Sequence, residues 1–278
     1  MTSAASTFAV NTYSYTLSHD VRDCLRALAA RGYAQFELMM YPGHLWPADI
    51  DAAGRRELRR LADSLGVQVG TLNMPNIDVN VAAASADMRA CSLAHLERIV
   101  ELAGDLGVPG VVIGPGKANP LFPAPREELI GHFHAALDRL LPLAGKAGTA
   151  LLVENMPFAF LPDIDSLTAT LDRHGADGIG IVYDVANGHF IREDVPAALR
   201  RCAPRLAVVH LSDTNQSVYR HDPVGRGTVD FTAIPEVLAE IGFRKRPVLE
   251  VISTDADRDI DDSATRLAAM GYAGPQAR

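Results

Sequence analysis

Four apolar stretches in the second half of the chain each end on, or carry, a side chain able to bind a metal or move a proton. ALLVE closes on Glu154, GIGIVYD on Asp184 and LAVVH on His210, and PVLEV carries Glu250. The four residues stand 30, 26 and 40 positions apart, which is the length of one strand-plus-helix unit each. An apolar run of this length bounded by a breaker, as Pro157 bounds the first, reads as a buried strand of a parallel sheet. In such sheets active sites form at the C-terminal strand ends. Three carboxylates and one imidazole at a shared mouth can close on a divalent ion. Without one, the converging carboxylates would raise one another's pKa values. Hard oxygen donors with one nitrogen and no thiolate favour manganese, with magnesium, cobalt and zinc as alternatives, over copper or iron–sulfur chemistry. One ion is expected, held by Glu154, Asp184, His210 and Glu250.

The rest of the chain supplies the frame. Phe8–Tyr15 reads as strand one, followed by a helix from His19–Asp20 to Gly32, and AQFELMM is strand two. A second helix spans 47–66, VQVGTLNM is strand three, and a long helix runs from Asp87 to Gly107. GVVIGPG is strand four, and the helix 126–148 returns the chain to the Glu154 strand. Three further helices, near 164–175, from Pro196 to Pro204 and at 231–242, separate the last four strands. A final helix ends near Gly271. Strict alternation demands a parallel sheet, and eight units are what a closed (β/α)₈ TIM barrel needs. The competing doubly wound sheet would carry a glycine fingerprint after strand one, and VNTYSY has no glycine. No linker or low-complexity tract interrupts the pattern, so residues 1–278 are expected to form one domain.

Composition bounds the function. Hydrophobic residues make up 48% of the 278 and charged residues 22%, enough for one large core. A formal charge of −8 argues against a general nucleic-acid binder. No apolar run approaches the roughly 20 residues that cross a bilayer. The start, MTSAASTFAVNTYSY, has neither a basic n-region nor a long h-region, so no secretory leader is expected. Cys24, Cys91 and Cys202 are odd in number and widely spaced, and read as buried thiols in the reducing cytoplasm.

The order VEN, YDVANGHF, VVHLSD, HDPVGRGTVDF and VLEV resembles the xylose-isomerase-like barrels. That family comprises sugar and sugar-phosphate isomerases and epimerases, related dehydratases, and the apurinic-site DNA-repair endonucleases. The resemblance implies that Glu154, Asp184, His210 and Glu250 are the metal quartet. It also implies that Glu154 and Glu250 are the acid–base pair on either face of the substrate. The family's epimerases and endonucleases usually place a histidine three residues after the Asp; here that position is Asn187, and His189 follows. Where ketose 3-epimerases place an arginine before the PG-x-G turn, this chain has His221 with Arg220 beside it. The histidines that would complete a three-zinc endonuclease site after strands two to four are missing from LNMPN and IGPG.

Around the quartet, Asn73, Asn187, His189, Arg220, His221 and Trp46 are the candidate substrate contacts. Asp213, three residues after His210, is expected to orient that imidazole from behind. Glu37 on strand two is either internal or a support of the ligands. His132 and His134 read as surface residues of a helix, and the arginines at 55, 56, 59 and 60 as a solvated helix face. The reading is a divalent-metal-dependent isomerase or epimerase of a small sugar or keto-polyol. One glutamate removes a proton beside a carbonyl to give a metal-stabilised enediolate, and the other returns it. A dehydratase or lyase of the same fold, acting on a keto-inositol, a dehydroshikimate or a keto-glycoside, is the alternative, and an apurinic-site endonuclease is disfavoured. Neither nucleic acid nor membrane is an expected partner, and a homo-oligomer is left open.

Overall fold

The computed structural model describes residues 4–272. Eight parallel strands close on themselves in sequence order, β1 pairing with both β2 and β8. They are β1 (Ala9–Asn11), β2 (Gln35–Met39), β3 (Gln68–Asn73), β4 (Gly110–Ile113), β5 (Ala150–Glu154), β6 (Gly180–Asp184), β7 (Leu206–Leu211) and β8 (Val248–Leu249). Each is followed by helix: α2 (Val21–Ala30), α3 (Ala52–Leu65), α4 (Ala86–Leu106), α5 (Arg126–Ala147), α6 (Ile164–His174), α8 (Val195–Cys202), α9 (Ile234–Glu240) and α10 (Ala256–Ala269). Two short helices stand outside that count, α1 (Ala4–Thr7) before β1 and α7 (Val185–Phe190) directly after Asp184. The expected (β/α)₈ barrel is therefore the fold; the ends of the 1–278 domain lie outside the described residues.

Local chemistry explains the boundaries. Asp20, Asp51, Asp163 and Asp194 cap α2, α3, α6 and α8, each accepting a first-turn amide. Such a cap is worth about 1 kcal/mol. The cap at Asp51 corrects the expected start at Pro47. Helix α5 stops at Gly148, whose φ of 70° is left-handed and turns the chain into β5. Strand one is shorter than expected. Past Asn11, its own side chain accepts the Tyr13 amide and Thr12 O accepts the Tyr15 amide, curling Tyr13–Tyr15 into a 3₁₀ turn. Helix α9 is likewise confined to Ile234–Glu240 instead of 231–242.

Because side chains alternate across a strand, each strand contributes to two layers. Outward residues such as Phe36, Leu72, Val111, Leu151 and Ile181 pack with Leu25, Ile99, Phe133 and Leu167 of the helices into the main core. Inward, Val112, Leu152 and Val182 form a separate apolar plug, with Val208 packed against it. Two positions further along β5, β6 and β7, on the same inward face, stand Glu154, Asp184 and His210. The metal candidates therefore form the storey directly above the plug.

Candidate metal centre

The inward storey is almost wholly polar. It holds Asn11, Glu37, Asn73, Glu154, Asp184, His210 and Glu250, all buried. Asp184 and His210 are register partners on β6 and β7, as are Asn11 and Glu37 on β1 and β2. One ligand atom from each of Glu154, Asp184, His210 and Glu250 lies within 4.8 Å of the others. His210 Nδ1 is the convergence point, 3.0 Å from Glu250 Oε2, 3.4 Å from Glu154 Oε1 and 3.6 Å from Asp184 Oδ2.

Asp184 and Glu250 each have one oxygen tied down and one left free. Asp184 Oδ1 accepts the Asn187 amide at 2.6 Å, capping α7, while Asp184 Oδ2 has no hydrogen-bond partner. Glu250 Oε1 accepts from Asn11 Nδ2 at 3.2 Å, and Glu250 Oε2 is unpartnered. Glu154 Oε1 accepts from Asn187 Nδ2 at 3.3 Å. His210 Nδ1 is also without a hydrogen bond. Buried polar atoms left unpaired cost about 1–3 kcal/mol each. Here the orphans Asp184 Oδ2, Glu250 Oε2 and His210 Nδ1 face one point, where Glu154 Oε1 joins them, giving three oxygen donors and one imidazole. That donor set fits one divalent ion.

Electrostatics carry the same signature. Burial pushes Glu250 well above the usual carboxylate range against the pull of His210, and the Glu154 and Asp184 charges add to the rise. Burial also raises Glu154, opposed by His210. Burial would raise Asp184 too, but His221 and His210 outweigh it and hold that group low. Burial disfavours the charged form of His210, yet the Glu37 and Glu250 charges lift its pKa well above the ordinary histidine value.

Behind the imidazole stands Glu37, not Asp213. Glu37 Oε1 is 3.0 Å from His210 Nε2, and the Glu37 carboxylate also accepts from Asn11, Thr71 and Asn73. Burial alone would raise Glu37, but His210 and these donors bring it down to about 2. Asp213 instead turns away and fastens the loop after β7. Its carboxylate accepts the amides of Thr214, Gly225 and Val229, at 2.9, 2.8 and 3.1 Å. Three backbone donors in reach explain why it does not turn to the histidine. Gly227 lets the loop close over it, since a Cβ there would sit 2.2 Å from Thr214 O and 2.3 Å from Asp213 Oδ1.

The remaining candidates divide. His221 joins the cluster, its Nδ1 at 3.6 Å from Glu250 Oε2 and 3.7 Å from Asp184 Oδ2, with Ser212 Oγ at 2.9 Å. Asn187 stands between Glu154 and Tyr219, whose hydroxyl donates to Asn187 Oδ1 at 2.6 Å and lies 2.7 Å from His221 Nε2. Asn73 holds Glu37 and lines the same cavity. His189 pairs with Thr228 Oγ1 at 2.8 Å, away from the ligands. Arg220 is exposed and lies 4.0 Å from Asp222. Trp46 stacks on His95 with ring centres 4.4 Å apart, beside a neighbouring cavity rather than at the quartet. His134 is half-buried, reaching Thr170 O at 3.0 Å, so it is no plain surface residue. Cys91 is exposed, contrary to expectation, whereas Cys24 and Cys202 are buried as expected.

Several working residues were not singled out from the sequence. Asn11 bridges Glu37 and Glu250. Asn155 grips Asp184 by its main chain, accepting from Asp184 N and donating to Asp184 O. Tyr219 closes the chain from His221 to Asn187. For Asn11 and Asn155 the signal was a polar residue ending or directly following an apolar strand; Tyr219 sits in the loop after β7 and carried none.

Above the quartet a cavity of about 340 Å³ opens to solvent, with Glu154, Glu250, His221 and Tyr219 on one side and Met74, Met156 and Phe158 among its other walls. Among the described residues no helix is long and apolar enough to cross a membrane.

Comparison with known proteins agrees with this geometry. L-ribulose 3-epimerase of Mesorhizobium japonicum is 25% identical over 267 residues, covering 94% of this chain and 85% of the relative. The L-ribulose-5-phosphate 3-epimerase UlaE of Shigella boydii is 24% identical over 170 residues, 61% of this chain and 59% of its own. Among solved structures, a D-tagatose 3-epimerase-like protein superposes with a TM-score of 0.82 at 20% identity, covering 95% of this chain and 96% of that one. The 3-keto-D-glucoside 4-epimerase YcjR of E. coli gives 0.78 at 18% identity, covering 95% and 99%. Residues 25–270 match the model of the xylose isomerase-like TIM barrel, and the chain belongs to that family.

Proposed function

We propose that the chain is a sugar epimerase dependent on one divalent metal ion, acting at the carbon next to a carbonyl. The observation that carries this reading is the converging quartet, of which Glu154 and Glu250 arrive from separate strands, β5 and just past β8, and line the cavity. A bound divalent ion would polarise the substrate carbonyl and stabilise the negative charge that builds on it. Glu154, Asp184, His210 and Glu250 would hold that ion, with manganese the first choice for this donor set.

The chain's own part is proton transfer and positioning. One glutamate takes the proton from the carbon, and the other returns it from the opposite face. Asn187 orients Glu154, Asn11 orients Glu250, and Glu37 fixes the imidazole between them. His221, with Tyr219 on its far nitrogen, offers a contact for a substrate hydroxyl. The cavity supports an unphosphorylated substrate. Among the described residues Lys117 is the one basic side chain on its wall besides His221, and its Nζ donates to the Ile77 carbonyl. The buried thiols Cys24 and Cys202 suit a cytoplasmic enzyme.

The test is a manganese-supplemented screen of ketoses and keto-sugars in D₂O, followed by NMR. Deuterium should wash into the carbon beside the carbonyl, with the epimer as product. Loss of a β-hydroxyl would make the enzyme a dehydratase, and absence of exchange with every keto-sugar would refute the reading.

A further inference from the structure

Among the described residues, seven of the nine exposed large apolar side chains gather at one end, Met88 on α4 and Met270 at the end of α10 being the others. Leu17, Ile77, Leu121, Phe122, Phe158, Val218 and Ile252 all lie in loops that follow strands, at the mouth of the barrel. Apolar surface concentrated in this way marks a binding site. Three of them also line the cavity above the quartet: Ile77, 70% exposed, Phe158, 62% exposed, and Ile252, 38% exposed. The wall continues inward through Met74, Val79 and Met156.

A run of rings connects rim to chemistry. Phe158 lies edge-on to Tyr219, with centres 5.3 Å apart and an interplanar angle of 89°. Phe190 sits behind both, at 5.8 and 5.3 Å. Tyr219 in turn meets His221 at 5.2 Å, and His221 touches the ligands. Polar lining residues, Asn73, Asn76, Glu154, His221 and Glu250 among them, gather around the quartet, with Lys117 on the wall. One of them, Asn76, holds the Gly114 amide with its oxygen and leaves its buried Nδ2 without a partner. A small polyhydroxylated sugar would face this apolar upper wall with hydroxyls that find no acceptor there, at a desolvation cost.

We infer that the substrate is a keto-sugar carrying an aryl group, the sugar ring on the polar floor and the aryl group against Phe158, Ile77 and Ile252. This rests on the epimerase reading and names its substrate class. A group joined through the anomeric oxygen locks that carbon, so the carbonyl that acidifies the neighbouring C–H must be another ring carbon. The ligand is therefore an aryl keto-glycoside. In the reaction the C–H bond breaks at the carbon on the side of the carbonyl away from the anomeric centre, where no aryloxy group stands β to the enolate; its proton goes to one glutamate and its electron pair enters the enolate. The second glutamate delivers a proton from the other face as the carbonyl re-forms, and the glycosidic bond stays intact. Asn76 Nδ2 donates to a ring hydroxyl.

The experiment compares phenyl 3-keto-β-D-glucoside, methyl 3-keto-β-D-glucoside and D-fructose with the manganese-loaded enzyme, reading deuterium exchange by NMR and kcat/KM. The phenyl compound should exceed the methyl compound by about tenfold or more, as burial of one ring against apolar walls requires. Phe158→Ala should bring the phenyl-to-methyl ratio close to one, and Phe158→Leu, which keeps an apolar surface, should retain most of it. Phe158 is exposed, so neither variant threatens the fold. Equal rates for phenyl and methyl compounds, or D-fructose turned over as well as the phenyl compound, would overturn the aryl inference and leave the epimerase reading standing. No exchange with any of the three would overturn the aryl inference, and the epimerase reading falls with it only if the wider keto-sugar screen also shows no exchange.

Discussion

Glu37 Oε1 lies 3.0 Å from His210 Nε2, and both side chains are fully buried. A carboxylate behind a ligating histidine fixes ring orientation and raises its basicity, and loss of such a partner costs 10–100-fold in metal affinity. Glu37→Gln should therefore weaken manganese binding by about that factor, measured by competition with a fluorescent chelator. Affinity within twofold of wild type would show that Glu37 only fills space.

Metal binding should depend on pH in a definite sense. Burial raises Glu250 and Glu154 above the ordinary value of 4.5. A carboxyl raised in the fold stabilises it while protonated. That contribution is complete below 4.5 and is lost as pH climbs through the raised value. Ligation requires the ionised forms, so the gap in Tm between loaded and chelated protein should widen as pH rises above that point. With the ion a hundredfold above its Kd, the gap corresponds to about 2.7 kcal/mol. Scanning calorimetry with manganese or EDTA at several pH values checks this. A gap that narrows with rising pH would count against the quartet.

The two glutamates should separate binding from proton transfer. Glu154→Gln and Glu250→Gln each keep an oxygen donor but lose the base, and general acid–base assistance is worth about 10²–10⁴ in rate. Turnover should fall by that range while metal binding weakens less than in the alanine variants. Near-wild-type turnover in Glu250→Gln would leave Glu250 as a ligand only.

Asp213→Ala should act through the loop. It removes the acceptor of three amides, each such bond to a charged group being worth about 1.5–3 kcal/mol. The variant should unfold at lower urea and exchange the Gly225 and Val229 amides faster. Its KM should rise more than its kcat falls, since Tyr219 and His221 ride on the loop. Unchanged exchange at both amides would refute the fastening role.

The eight-unit alternation and the four ligands were legible because both are written in short apolar runs that end on a chemical group. What supports the ligands was less so. Asn11 reads as one more strand residue and Asn155 as an ordinary loop asparagine until β1 is closed against β2 and β5 against β6, which only the barrel does. Asp213 was misassigned because proximity in sequence to His210 says nothing of direction. It lies just past the end of β7, where loop amides compete for it. Trp46 is a lone tryptophan whose partner, His95, comes from a helix far along the chain.

The fastening of the loop after β7 has a consequence for how this enzyme can diversify. Asp213 and Asp222 exchange main-chain hydrogen bonds at 2.8 and 2.7 Å, and His221 O accepts the Ile252 amide at 2.8 Å. His221 is thus anchored from both flanks, independently of the exposed segment from Gln216 to Val218. That segment can vary in sequence, and change what is admitted at the rim, without shifting the histidine beside the ligands. The tip and the anchored histidine are mechanically separate parts of one loop, so the tip can drift without cost to the geometry around the metal ligands.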